Sequence, residues 1–289
     1  QKRSFVRLII FRKCIRQVHL MADKDYKAFI VEGEAREPQI INNISKIFFS
    51  HGNCTVITLP AGENIYMLWK QLKADDFDTD VIEILRESND DIRKQLEGLS
   101  RDDFSEVYLF FDYDAHQTNL EKTVNEDVIR QMLESFDNET ENGKLYISYP
   151  MVEALRDYEP WKCGNGTDCF VEIGDLGKYK NTSATRAYNP HFKEYDIDAW
   201  KNIIDVFAMR VSCLFEISEM MDYEQYCRKV TPSEIYVMEL KKAEMKGVFV
   251  LSAFPEFLLD YFGVKLWKTS VRYIRKQNYG YTCYKGNIG

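Results

Sequence analysis

Two carboxylates at the end of an apolar run are the residues whose type and spacing most clearly suggest chemistry. Residues 107–111 read Val-Tyr-Leu-Phe-Phe, which predicts a buried strand, and Asp112 and Asp114 follow directly. If the extended backbone continues, side chains two positions apart point to the same side. Two like charges at one strand end repel each other unless a cation or solvent relieves them. The pair therefore favours a metal site.

A third carboxylate follows an earlier apolar run. Residues 27–31 read Lys-Ala-Phe-Ile-Val, and Glu32 and Gly33 come next. Open α/β sheets bind ligands in the crevice at the carboxyl ends of their parallel strands. We therefore expect Glu32, Asp112 and Asp114 to converge there. Mg²⁺ prefers carboxylate oxygen and keeps water positions open for phosphate, which makes it the expected ion, with Mn²⁺ as an alternative.

The elements that must position these residues alternate between strands and helices. Apolar runs predict strands at 27–32, 54–59, 106–112 and 144–148, and helical spacing predicts helices at 37–49, 63–74, 78–97 and 120–136. Strands that are separated by helices imply parallel crossovers. The expected fold class is α/β, with a parallel sheet flanked by helices.

The second half of the chain has a different character. Residues 159–194 are rich in Gly, Asn, Lys and Thr and predict a loop region or linker. Helices dominate afterwards; residues 231–234 form a capping box, and Gly247 is expected to close that helix. The expected organisation is a basic extension at 1–23, a catalytic domain at 24–158, the linker, and a mainly helical region at 195–289 with a basic and aromatic tail.

Length and composition place limits on the class of protein. The chain has 289 residues, of which 45% are hydrophobic, so it can bury a large core. No apolar run approaches the roughly 18 residues that span a bilayer, so no membrane association is expected. The seven cysteines are scattered without metal-ligand spacing. In a chain of this length they predict reduced thiols and a cytoplasmic location.

The net charge of −8 conceals two basic ends. Residues 261–289 contain no Asp or Glu, and Lys268, Arg272, Arg275 and Lys276 stand there among aromatic residues. Basic side chains can bind a phosphate backbone while aromatic side chains stack on bases, so these four basic residues are predicted to bind nucleic acid. The alternative is a sheet edge or capping segment whose aromatic side chains belong to the core.

Residues 1–20 also lack acidic side chains, and Met21 after them resembles an ordinary start. This segment fits an upstream extension, an organellar presequence or a basic surface helix. The fold prediction therefore begins at Lys24.

The two acidic motifs together resemble the TOPRIM family, the α/β domain of topoisomerases, DnaG-type primases, OLD-family nucleases and several bacterial phage-defence effectors. In that family one strand ends in Glu followed by Gly or a small residue, and a later strand ends in Asp-x-Asp. The matching residues here are Glu32-Gly33 and Asp112-Tyr113-Asp114. The resemblance covers about residues 24–158. His116 departs from the small residue that many members place after the acidic pair.

The resemblance implies roles for these acids. Asp112 and Asp114 would hold the metal, and Glu32 would bind a second metal or act as general acid and base. Glu153, which follows the fourth predicted strand, resembles a downstream acidic position of OLD-like nucleases and would be a further metal ligand. From the sequence alone, Glu34 and Glu37 remain substitutes for Glu32.

The function implied by the resemblance is a Mg²⁺-dependent nuclease that cleaves DNA or RNA as an effector of antiviral defence. The chain contains no G-x-x-x-x-G-K-[ST] phosphate loop. The resemblance therefore suggests a separate ATPase partner, and it allows a homo-oligomer. A haloacid-dehalogenase phosphatase fits poorly, because His116 stands where that family has Thr or Val. The alternative from a different class is a catalytically silent module that binds nucleic acid or a protein.

Overall fold

A five-stranded, mostly parallel sheet forms the centre of the protein. The computed structural model describes residues 25–50, 52, 54–113, 128–158, 169–187, 189–217, 220–243 and 247–271. The sheet strands are β1 (Asp25–Val31), β2 (Cys54–Pro60), β3 (Phe104–Asp112), β4 (Asp137–Asn138) and β5 (Gly143–Ser148). A separate antiparallel pair contains β6 (Phe170–Glu172) and β7 (Gly247–Phe249). The α/β class predicted from the sequence is confirmed at this level.

The strand order places the ends of β1 and β3 side by side. The order is β2-β1-β3-β5-β4, and all pairs are parallel except β4 with β5. From β1 the chain first moves to β2 on one side and then returns to β3 on the other side. Such a reversal is a topological switch point, where open α/β sheets bind ligands outside the carboxyl ends of the strands.

Ten α-helices lie in the described part of the chain. Before the sheet is complete come α1 (Arg36–Phe48), α2 (Ile65–Ala74), α3 (Val81–Ser88), α4 (Asp90–Gln95) and α5 (Val128–Ser135). After it come α6 (Leu176–Arg186), α7 (Ile197–Leu214), α8 (Tyr223–Lys229), α9 (Pro232–Ala243) and α10 (Ala253–Ser270). None of the helices in these ranges is both long enough and apolar enough to cross a membrane.

Helix α10 covers one face of the sheet. Phe257 is fully buried, and its ring lies 5.2 Å from that of Phe29 on β1, 4.8 Å from Tyr108 on β3 and 5.8 Å from Tyr146 on β5. Gly263, with φ of 64°, interrupts the helix farther along. The buried apolar residues of the sheet and of the C-terminal helices form one continuous core. The helical region is therefore packed directly onto the sheet.

The long charged helix predicted at 78–97 is two helices. Asn89 separates α3 from α4, and its side-chain oxygen accepts hydrogen bonds from the backbone N–H groups of Asp91 and Ile92. An Asn side chain competes with helical backbone bonds and so favours a cap over a helix interior. The charged residues continue on both sides of Asn89, so periodicity alone predicts one helix and does not detect the cap.

Two further predictions for the second half are wrong. The segment 159–194, expected to be loop or linker, includes β6 and α6 in its described part. Gly247, expected to close a helix, is the first residue of β7 and pairs with Glu172. A Cβ atom at Gly247 would lie 2.1 Å from the ring of Phe170, so close strand packing explains this glycine. The capping bond from the Glu234 N–H to the Thr231 hydroxyl is present at 3.2 Å.

A buried acid in α10 couples the stability of this core to pH. Glu256 is 4% exposed, and its Oε1 atom has no hydrogen-bond partner among the described residues. Burial first, and then the nearby Asp260 carboxylate, raise the pKa of Glu256 well above its usual 4.5, against the opposing charge of Lys144. The fold therefore favours the protonated acid.

We expect Glu256→Gln to stabilise the protein more at about pH 8 than at about pH 5. The unfolded glutamate ionises near its usual pKa, whereas the folded one resists ionisation. Its contribution to stability is complete below the unfolded pKa and is lost as the pH rises toward the folded pKa. Glutamine keeps the shape and carries no charge. Thermal melts across this pH range measure the difference, and Glu134→Gln, at an exposed acid of α5, is the control. An equal change in melting temperature at both pH values would contradict the prediction.

Candidate functional site

Glu32 and Asp112 meet at the carboxyl ends of β1 and β3. The backbone N–H of Asp112 donates a hydrogen bond of 3.3 Å to Oε2 of Glu32, although the two residues are 80 positions apart in the chain. Asp112 also stands opposite Ser148 on β5, and the N–H of Tyr113 donates to the Ser148 carbonyl at 2.9 Å. The parallel register therefore places both acids at the switch point of the sheet.

The loop after β1 adds a second glutamate. Glu37, in the first turn of α1, is 8% exposed and accepts a hydrogen bond of 3.3 Å from the N–H of Gly33. A Cβ atom at Gly33 would lie 2.8 Å from Oε2 of Glu37. A side chain at position 33 would therefore displace the Glu37 carboxylate from its present place. Burial is the largest cause of a raised Glu37 pKa, and the charge of Glu153 contributes to it.

Asp112 is at the centre of this acidic group. A part of the residue reaches solvent, but protein surrounds its carboxyl, and this burial raises the pKa of Asp112 well above its usual range. The neighbouring charges of Glu32, Glu37 and Glu153 raise that pKa further. An opposing hydrogen bond from the backbone of Val152 lowers it. We call Glu32, Glu37, Asp112 and Glu153 the strand-end acidic cluster.

The loop after β5 contributes Glu153 and brings it to an arginine. Glu153 lies in the 3₁₀ segment Val152–Arg156, and its side chain is 2% exposed. Its Oε1 accepts a hydrogen bond from Nη1 of Arg36, the first residue of α1, in an ion pair. The Arg36 side chain is 40% exposed. The predicted fourth metal ligand therefore lies beside the other acids and is bound to a guanidinium.

The donor chemistry of the cluster suits a divalent cation. Its side chains offer carboxylate oxygens, the ligands that Mg²⁺ and Mn²⁺ prefer. Burial first, and then the neighbouring carboxylates, raise the pKa of Asp112, and the positive charge of a bound cation would oppose that rise. Within the described ranges, no group of three or more His, Cys, Asp or Glu side chains is arranged to hold one metal ion. Asp114, the second acid of the predicted pair, lies outside those ranges, as does His116.

The predicted nucleic-acid contacts are described only in part. Lys268 is exposed on α10, whereas Arg272, Arg275 and Lys276 lie outside the described residues. Trp267 beside Lys268 is 1% exposed, and its ring lies 5.0 Å from that of Tyr226. At this position the aromatic residue of the basic and aromatic tail therefore belongs to the core, in agreement with the alternative interpretation.

Sequence reasoning missed Arg36 and treated Glu37 only as a substitute for Glu32. A signal was present, because Arg36 directly precedes the helix predicted at 37–49 and follows the Glu-Gly motif by three residues. Helix N-termini favour acidic side chains, so an arginine there calls for an acidic partner. The identity of that partner required the tertiary structure.

Comparisons with known proteins add no relative: no family model matches the chain, and neither the curated proteins nor the solved structures include a significant match.

Proposed function

We propose that this protein is a divalent-metal-dependent nuclease that hydrolyses phosphodiester bonds in DNA or RNA. One observation carries the proposal: Glu32 and Asp112 lie against each other at the switch point of a parallel sheet, inside a cluster of four acids. The ends of parallel strands at such a point are where α/β sheets bind ligands. The TOPRIM-like order of the acidic motifs supports the same reaction class.

The proposed roles follow from position. Asp112, together with Asp114, would hold the ion, and Glu32 would either complete a second ion site or accept the proton of the attacking water. When bound, Mg²⁺ supplies positive charge to the phosphate and makes water more acidic. In the reaction a water oxygen bonds to phosphorus, the bond from phosphorus to the leaving oxygen breaks, and that oxygen gains a proton. Glu37 would add negative charge that favours cation binding.

The metal requirement provides the direct test. Labelled single-stranded DNA, duplex DNA and RNA are incubated with the protein and Mg²⁺ or Mn²⁺. We expect cleavage to fall at least about 100-fold in EDTA, since a metal supplies several kcal/mol of charge stabilisation, and to return with excess metal. Undiminished cleavage in EDTA would exclude a metal-dependent mechanism. Binding without cleavage of any substrate would favour the silent binding module.

The family resemblance also suggests that the protein works with a partner, a separate ATPase. TOPRIM effectors of phage defence commonly act with a separate ATPase, and the chain has no phosphate loop of its own. The cleavage assays are therefore run both with and without a candidate ATPase. We expect the ATPase to change the rate of cleavage while the metal requirement stays the same.

A further inference from the structure

The ion pair between Arg36 and Glu153 suggests a role for each residue that the acidic motifs do not contain. We propose that Arg36 binds the scissile phosphate of the substrate, and that Glu153 is a positioning residue that holds the guanidinium instead of a metal ion. This inference rests on the proposed nuclease function and identifies how the same site would recognise its substrate.

Position is the first argument for this assignment. Arg36 begins α1, three residues after Gly33, and so lies where the short loop from β1 and Glu32 enters the helix. Its guanidinium pairs with Glu153, which follows β5, the strand that neighbours β3 in the sheet. The guanidinium is therefore next to the strand-end acidic cluster, where the reacting phosphate would lie.

The unequal burial of the two partners is the second argument. The Glu153 side chain is 2% exposed, whereas that of Arg36 is 40% exposed. A metal ion could use Glu153 as a ligand only by displacing Arg36. Breaking a buried ion pair is costly, because the carboxylate loses its charged partner. The exposed part of the guanidinium, in contrast, can reach a ligand without breaking the pair. The burial pattern therefore assigns Glu153 to the arginine.

The chemistry of arginine is the third argument. A guanidinium has five N–H donors in a planar fork, and the described contact with Glu153 uses Nη1. The remaining donors match two phosphate oxygens, and the fixed side chain loses less conformational freedom when a substrate binds. Positive charge aimed at a phosphate would also balance the repulsion that the acidic cluster exerts on a nucleic acid.

The test measures binding separately from cleavage. All variants carry Asp112→Asn, so that substrate is not consumed, and the affinity for a short fluorescent oligonucleotide is read by anisotropy. We expect Arg36→Gln to weaken binding about 10-fold or more and Arg36→Lys to restore it only in part, because an ammonium group lacks the planar fork. The control is Lys46→Gln, at an exposed basic residue of the same helix, which should leave affinity within about two-fold.

A double-mutant cycle tests the positioning role. Glu153→Gln alone should weaken oligonucleotide binding, and it should add almost nothing when Arg36 is already Gln. A purely structural role would give additive losses. The double variant also replaces the ion pair by two neutral amides, so it keeps the test valid if Arg36→Gln alone fails to fold.

Metal affinity distinguishes this proposal from the assignment of Glu153 as a ligand. With Asp112 intact, Mn²⁺ binding is measured by titration calorimetry for the wild type and for Glu153→Gln. We expect equal affinities, and a loss of ten-fold or more would overturn the proposal. Unchanged oligonucleotide affinity in Arg36→Gln would also overturn it. Arg36-dependent binding by a protein that cleaves nothing would refute the nuclease function and leave the phosphate-binding role of Arg36 in place.

Discussion

Asp112→Asn is expected to reduce metal-dependent cleavage by roughly three orders of magnitude or more, while the protein remains folded. Asparagine keeps the size of the side chain and removes the negative charge that would hold the ion. Glu32→Gln should have a similar effect, and the double variant should lose little more, because metal and attacking water are positioned by one unit. Initial rates on the best substrate of the cleavage assays measure this effect.

The stability of the same variant separates chemistry from misfolding. Burial and three neighbouring carboxylates raise the pKa of Asp112, so its ionised form destabilises the fold above the usual carboxyl range. Without divalent ions at neutral pH, Asp112→Asn should therefore melt at the same temperature as the wild type or at a higher one. Asp198→Asn, at an exposed acid on α7, is the matched control. It should change neither the rate of cleavage nor the melting temperature. Full cleavage by Asp112→Asn would remove the basis for the proposed function.

Phe257→Ala is expected to reduce the free energy of unfolding by about 3–5 kcal/mol. The side chain is fully buried and contacts aromatic rings on the three central strands, including Phe29 at 5.2 Å and Tyr108 at 4.8 Å. Truncation would leave a cavity between α10 and the sheet. Since each kcal/mol shifts the melting temperature of a protein of this size by about 2–4 °C, a decrease of roughly 10 °C should follow.

A surface residue on the same helix provides the comparison. Val264 is 45% exposed, so Val264→Ala should alter the free energy of unfolding by no more than about 0.5 kcal/mol. Chemical denaturation of both variants gives the two values. If Phe257→Ala also costs less than about 1 kcal/mol, then α10 does not cover the sheet, and the helical region would be a separate unit.

The strands that carry Glu32 and Asp112 could be predicted because their signals are local. A buried strand is a short apolar run, and its end is marked by the first charged residue. Both β1 and β3 begin two residues earlier than predicted; β1 also ends one residue earlier, at Val31, whereas β3 ends at Asp112 as expected. The division at Asn89 was missed because a cap is recognised by one side-chain contact, whereas periodicity averages over many residues.

The sequence by itself determined the α/β class, the acids that close two of the strands and the charge pattern at the end of the chain. Only the tertiary structure decided that β1 lies next to β3, that Glu37 joins the acids, that α10 covers the sheet, and that Glu153 pairs with Arg36. Apolar periodicity and strand ends are properties of neighbouring residues. The pair of Arg36 and Glu153 spans 117 positions, and its geometry depends on the sheet order and on the packing of the loops between them.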